Sequence, residues 1–301
     1  MFANNHLKPT SKKIRYVAIG LLLAFLGFGV INARAKNNLR TWLSEAKSNI
    51  YLPYDEADSQ LNAAWVSPLL AGTHDDNVTR LLKESGWQMK KFGWFGKFIA
   101  LRDRQKRGWG EFVWKKSRSR NEIWLQAPHA EYDKWSGAIA LSMLLESQYI
   151  VGYASSSAPR YSSINYGDSD LAHAELSFFR DFNIQLLRSN PQSRIVQIHG
   201  FEKAKRMSES ASTADIIVSN GTSRASNYAK RVTECLTSMG LNAKLFAVDV
   251  DELGGTTNIS ARDARQAKHK RFLHLELSVE IRLQLKDDQY LRKEFIQCLA
   301  H

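Results

Sequence analysis

Residues 123–129 read Ile-Trp-Leu-Gln-Ala-Pro-His, and residues 194–199 read Arg-Ile-Val-Gln-Ile-His. Each is a short apolar run, the length of a buried strand, closed by a histidine. Helical patterns follow at 136–148 and 170–188, and strand patterns recur at 194–198, 216–219, 244–250 and 272–285. Helices at 223–239 and 287–299 complete the order. Strands alternating with helices of this length predict an α/β three-layer sandwich around a largely parallel, mixed sheet. Upstream, 37–49 reads as a short helix and 78–91 as a helical pattern that breaks at Gly86. Short β-like runs come next at 98–101, 110–114 and 122–127. The serine-rich stretch 155–163 reads as a long loop, and there are no internal repeats.

The 301 residues are 44% hydrophobic, enough for a sizeable core, and the mixed composition excludes disorder, collagen and coiled coil. The net charge of +12 is uneven. Residues 1–40 carry seven Lys/Arg and no acid, 41–79 carry one against six, 80–120 carry thirteen against three, and 121–301 carry 21 against 21. Two segments are therefore basic and the main body is neutral. That argues against nucleic acid as a partner, since a nucleic-acid binder displays its charge across the binding domain.

The uncharged apolar run 16–31 follows Lys12, Lys13 and Arg15, the layout of an export signal. Ala33-Arg34-Ala35 has the small-x-small form of a cleavage site, while 16 residues are short for a bilayer span. Residues 1–35 are read as a signal peptide or membrane anchor, 36–120 as a helical and β-hairpin region, basic and aromatic, and 121–301 as the α/β domain. The expected location is exported: periplasmic, either soluble or anchored to the inner membrane by 16–31. Cys235 and Cys298 make at most one disulfide, or two buried thiols, and no CxxC pair exists.

Chemistry-bearing residues gather at predicted strand ends. His129 and His199 each terminate an apolar strand, and in open α/β sheets ligands bind at that end. Glu131 and Asp133 follow His129 in the same loop. Two histidines and a carboxylate make a three-ligand zinc site with the fourth position open, as catalysis requires. Two histidines ending strands beside a solvated carboxylate would leave the same trace. In 272–285 the leucines, valine and isoleucine alternate with His274, Glu276, Ser278, Glu280 and Arg282. This is either one solvated strand face or a face that aims Glu276 at the site as general base, with His274, Ser278 or Arg282 in support.

The runs Leu125-Gln126-Ala127-Pro128-His129, Val196-Gln197-Ile198-His199-Gly200 and His274-Leu275-Glu276-Leu277-Ser278 are similar to those of zinc-dependent metallocarboxypeptidase-like hydrolases. That group includes N-formylglutamate amidohydrolases and poly-gamma-glutamate hydrolases. The resemblance covers about residues 121–285 and lies in the order and context of the motifs. It implies a phosphorylase/hydrolase-like sandwich, zinc (Zn2+) on His129, Asp133 and His199, and Glu276 as base. The family's His-x-x-Glu is absent; the offsets here are two (Glu131) and four (Asp133). Asp133 is preferred because a two-residue offset chelates less easily, with Glu131 as the alternative ligand.

Weaker positions complete the expected site. Asp170 and His173, at i,i+3 on a predicted helix, either support the site or cap the helix. Arg160 suits an anionic substrate carboxylate. Gly254-Gly255-Thr256-Thr257-Asn258 is a turn whose amides could hold an oxyanion, with Asn258 and Arg282 as further substrate contacts. No Gly-x-Ser-x-Gly elbow, P-loop or dinucleotide fingerprint occurs. In the basic segment, eight Trp and Phe lie among the Lys/Arg, either a hairpin layer with solvated cations or a contact for anionic polymers or lipid head groups. The expected function is an exported zinc hydrolase of amide-type bonds (peptide, N-acyl amino acid or gamma-glutamyl, possibly cell-envelope derived). The alternative is a non-catalytic, envelope-anchored binding module for an anionic polymer.

Overall fold

The computed structural model describes residues 33–116, 122–165 and 167–300. Residues 1–32 of the expected leader (1–35), with its apolar run 16–31, lie outside the described residues, among which no helix is long and apolar enough to cross a membrane.

Nine strands form one mixed sheet: β1 (Trp87–Phe92), β2 (Phe98–Asp103), β3 (Glu111–Lys115), β4 (Ile123–Ala127), β5 (Ile150–Ser155), β6 (Arg194–Phe201), β7 (Ile216–Ser219), β8 (Ala243–Leu245) and β9 (Phe272–Ser278). Their order is β1-β2-β3-β5-β4-β6-β9-β7-β8. The centre, β5-β4-β6-β9, is parallel; β1–β3 join it as an antiparallel meander and β7 runs antiparallel to β9. Central strands buried on both faces favour apolar side chains, hence Ile195-Val196 and Leu275-x-Leu277, while the polar residues of β4, β6 and β9 pair with one another near the strand ends.

Helices cover both faces, so the molecule is the three-layer α/β sandwich. On one side α1 (residues 33–44), α4 (Ser136–Glu146), α7 (Asn227–Ser238), α9 (Val279–Asp287) and α10 (Gln289–Ala300) pack over Leu125, Val196 and Leu273. On the other, α2 (Glu56–Leu70), α3 (Asp76–Glu84), α5 (Phe178–Ser189) and α8 (Ile259–Gln266) enclose Trp65, Trp87, Phe112, Phe178 and Phe182. A short α6 (Glu209–Thr213) lies at the rim. Cys235 on α7 and Cys298 on α10 form a disulfide, which resolves the two alternatives.

Three expected boundaries are corrected, and two strands are added. The strand expected at 272–285 ends at Ser278, whose hydroxyl accepts from Ile281 N and starts α9; Ile281 and Leu285, four apart, then share a buried helix face. Glu280 and Arg282 therefore leave the strand. The helix expected from 170 begins only at Phe178, where Ser177 accepts from Arg180 N. The strand expected at 244–250 is three residues long. Strands β1 and β5 were not anticipated, because Trp87–Phe92 continues the amphipathic pattern of α3 past Gly86 and Ile150–Ser155 runs into serines.

Candidate metal and catalytic site

The site stands where β4, β6 and β9 end. After β4 the chain makes a single helical turn, with Asp133 N donating to His129 O at 2.7 Å. A turn of that pitch puts residues i and i+4 on one side and i+2 on the other. Asp133 thus joins His129, while Glu131 points away into an ion pair with Lys47 at 2.6 Å. His199 arrives from β6, whose alternation places Gln197 and His199 on the face opposite Val196 and Ile198.

The three facing donors form a nearly equilateral triangle. His199 Nδ1 lies 3.2 Å from His129 Nδ1 and 3.5 Å from Asp133 Oδ2, and His129 Nδ1 lies 3.6 Å from Asp133 Oδ2. Donors about 2.0–2.2 Å from a tetrahedral ion stand about 3.3–3.6 Å apart. All three residues are buried, and Asp133 Oδ2 has no hydrogen-bond partner, so a carboxylate oxygen is held dry for something absent from the protein itself. Two imidazole nitrogens and a carboxylate oxygen are the donor set of a catalytic zinc site. The residues fit such an ion.

Behind each histidine sits a partner for its outer nitrogen. His129 Nε2 lies 2.7 Å from Asp170 Oδ1, and His199 Nε2 lies 3.1 Å from Gln197 Oε1. A proton on each Nε2 satisfies both acceptors and leaves both Nδ1 lone pairs facing the triangle. Asp170 also accepts from Arg160 Nη2 at 2.6 Å and lies 3.1 Å from His173 Nδ1. Gln197 belongs to a buried amide chain. Asn258 Nδ2 donates to Gln197 Oε1, Gln197 Nε2 to Gln126 Oε1, and Gln126 Nε2 to Asn183 Oδ1.

Charge follows this geometry. Burial alone would raise the Asp133 carboxyl, but the close approach of His129 and His199, and their charge, hold it below the ordinary range. Asp170 is likewise held low, against its burial, by His129, His173 and Arg160. Burial, then His274 and His129, push His199 down to about 4, keeping it neutral as a ligand must be. His129 is lowered by burial but raised more by Asp133 and Asp170, so its pKa lies above the ordinary value.

A cavity of about 370 Å3 opens over the triangle, lined among others by Tyr132, Arg160, His173, Glu276 and Arg282. Glu276 is the register partner of His199 across the parallel β6–β9 pair, on the same face, with Oε1 at 3.1 Å from His274 Nε2. Arg282, although helical, returns to the site: Nη1 donates to Lys134 O at 2.9 Å, and the guanidinium covers Gly200. Asp170 and His173 meet in a turn rather than on a helix, and His173 reaches Thr257 at 3.3 Å. Arg160 is committed to Asp170 and stacks on Tyr161, 4.6 Å from the ring centre. Gly255, at φ 59, lies flat on the His274 ring, where a Cβ would come within 2.8 Å. Asn258 spends its side chain on the α8 N-cap and on Gln197. Sequence reading missed the amide chain, although a glutamine stands shortly before the histidine in both strand-end runs, which was its one signal.

No protein-family model matches the sequence, and no curated protein does. Several solved structures share the course of the chain. A bacteriophage poly-gamma-glutamate hydrolase is 9% identical with a TM-score of 0.39, covering 74% of this chain and 92% of its own. A putative carboxypeptidase A from Shewanella denitrificans is 14% identical with a TM-score of 0.41, over 64% of this chain and 59% of its own. A Pseudomonas aeruginosa metallo-carboxypeptidase is 11% identical with a TM-score of 0.40, over 75% and 68%. By name these neighbours are a hydrolase and two carboxypeptidases, and at this level of similarity no role passes from them to this chain.

Proposed function

We propose that this chain is an exported zinc-dependent hydrolase of an amide-type bond. The observation that carries this reading is the donor triangle of His129, Asp133 and His199, with its unpartnered Asp133 Oδ2 and both outer imidazole nitrogens anchored. His129, Asp133 and His199 would hold a zinc ion there, and its Lewis acidity would be the chemistry it supplies to a carbonyl and to water. Glu276 is the general base: its carboxylate takes a proton from the attacking water and returns it to the leaving nitrogen as the C–O bond forms and the C–N bond breaks. Arg282, buried beside the site, contributes positive potential where negative charge develops on the carbonyl oxygen. Lys205 and Arg206 at the cavity suit an acidic substrate such as a gamma-glutamyl or N-acyl amino acid linkage, while Arg160 acts through Asp170. Export draws on the N-terminal basic and apolar pattern, and the Cys235–Cys298 disulfide suits an oxidising compartment.

The test is metal content and hydrolysis, side by side. Wild type should carry about one zinc per chain and His199→Ala should lose it. Glu276→Gln should retain zinc while turnover of N-acyl or gamma-glutamyl substrates falls by about 10²–10⁴. Wild type without zinc, or full zinc in His199→Ala, refutes the site; unchanged turnover in Glu276→Gln removes Glu276 from the mechanism.

A further inference from the structure

The basic, aromatic segment takes no part in the site. Most of its rings are buried, but the β1–β2 hairpin turns through Gly93-Trp94-Phe95-Gly96-Lys97 with Phe95 89% and Trp94 44% exposed, their ring centres 5.8 Å apart. Phe95 is held at φ 52 between Gly93 at φ 79 and Gly96 at φ 65. A phenylalanine in the left-handed region is uncommon and strained. The hairpin thus thrusts out two rings at a conformational cost, a pattern associated with functional segments. Lysines flank the turn in the chain: Lys90 lies over the Phe92 ring, Lys97 over Phe98, and Lys91 is exposed near the end of β1.

The surroundings of this tip share its character. Helix α1 packs along the hairpin, with Trp42 against Phe92 at 5.5 Å and Glu45 paired to Arg102 further down the strand. Its first turn therefore lies beside the tip. There burial, and then Lys97 against the pull of Glu146, lowers the Lys36 pKa. The uncharged run 16–31 ends just before α1 in the sequence. In the sheet, the tip is at the end where the parallel strands begin, since Lys115 pairs with Phe98 and bonds Ile150 O. The same end of β9 bears a cavity of about 640 Å3 lined by Arg231, Arg265, Lys268, Lys270 and Arg271, with no Asp or Glu among its lining residues. The metal site is at the opposite end, a distance of about 25 Å along an eight-residue strand such as β6.

We propose that this basic edge is a docking surface for an anionic lipid bilayer, with Trp94 and Phe95 entering the headgroup layer. Aromatic rings favour that depth, and clustered lysines are drawn to anionic head groups. The rings and the start of α1 approach the membrane together, and the cavity above the metal site then opens away from it. Nothing at the metal site bears on this surface.

The test uses the full chain reconstituted into vesicles of phosphatidylcholine, with or without phosphatidylglycerol. Because the native cysteines are bridged, Phe95→Cys and, as control, the 93% exposed Met207→Cys can each carry one polarity-sensitive dye. On anionic vesicles the dye at 95 should shift to the blue, be shielded from aqueous iodide and be quenched by bromolipids; the dye at 207 should remain aqueous. Replacing Lys90, Lys91 and Lys97 by Glu should reduce the shielded population at least about fivefold per lysine lost. A dye at 95 as open to iodide as that at 207 overturns the proposal. So does equal shielding on neutral vesicles, or shielding by soluble poly-gamma-glutamate but not by lipid, which would assign the edge to an anionic polymer.

Discussion

Asp170→Asn isolates the claim that His129 is held as a metal ligand by what lies behind it. The carboxylate stands 2.7 Å from His129 Nε2 and is itself anchored by Arg160 at 2.6 Å and His173 at 3.1 Å. Asparagine keeps the size and one acceptor but removes the charge that favours the Nε2–H tautomer and strengthens the Nδ1 lone pair. Loss of such an outer partner costs about 10–100-fold in metal affinity, or about 1.4–2.7 kcal/mol. Arg160, freed of its counter-ion near the site, repels a cation and pushes the same way. The metal-free protein should also lose about 1–3 kcal/mol of stability, because a buried charged bond is broken. The assay is zinc competition against a chromogenic chelator for wild type, Asp170→Asn and Asp133→Asn, with thermal unfolding of each metal-free form. Unchanged zinc affinity in Asp170→Asn would refute the tautomer argument. A collapse as deep as that of Asp133→Asn would make Asp170 a ligand.

Two further substitutions probe the frame around the site. Glu111 is buried beneath Tyr153, and burial raises it from its ordinary 4.5 to about 7. The folded state therefore holds a proton that the unfolded state releases, so the stability from this group is complete below about pH 4.5 and is lost, by about 3 kcal/mol, as pH rises through 7. In Glu111→Gln that dependence vanishes, and the melting temperature of the variant relative to wild type should climb by about 4 °C between pH 5 and 8.5; a constant difference refutes the assignment. At Gly200 an added Cβ would stand 2.4 Å from Arg282 Cζ. Gly200→Ala should cost about 1–3 kcal/mol in urea unfolding, and much less in an Arg282→Ala background; equal costs would show that the two do not meet.

The histidines were legible because a buried strand must be apolar, so the first polar residue at its end is conspicuous. The backbone turn brings Asp133 beside the histidines and sends Glu131 to Lys47, an arrangement that a sequence offset does not reveal. Residues 272–285 misled for a definite reason: Leu-x-Leu alternation continues into Ile281–Leu285, where the same residues satisfy a helical i,i+4 pair, and only the Ser278 cap marks the change. Asp170 was noticed for the wrong geometry. Its helix starts only at Phe178, yet a turn, with His173 N bonded to Asp170 O at 2.7 Å, brings the two side chains together. The basic cavity at the far end of β9 was invisible because 121–301 sums to zero; folding separates charges that composition averages.

The state of His199 is set from further away still, by an unbroken directional relay. Ala261 N, at the start of α8, is a donor that cannot reverse, and it bonds Asn258 Oδ1 at 3.2 Å. Asn258 must therefore present Nδ2, a donor, to Gln197, whose Oε1 receives it at 2.8 Å. The other end of that amide, Nε2, is drawn to Gln126 Oε1 at 2.8 Å, so Gln197 cannot flip without losing both bonds. Facing His199 Nε2 is thus an acceptor that already takes one proton and has a second lone pair to fill. The imidazole proton belongs on Nε2, and Nδ1 is left bare toward His129 and Asp133. A helix cap, two glutamines in neighbouring strands and one histidine, spread from 126 to 261 in the sequence, together determine whether this site offers a metal a lone pair or a proton.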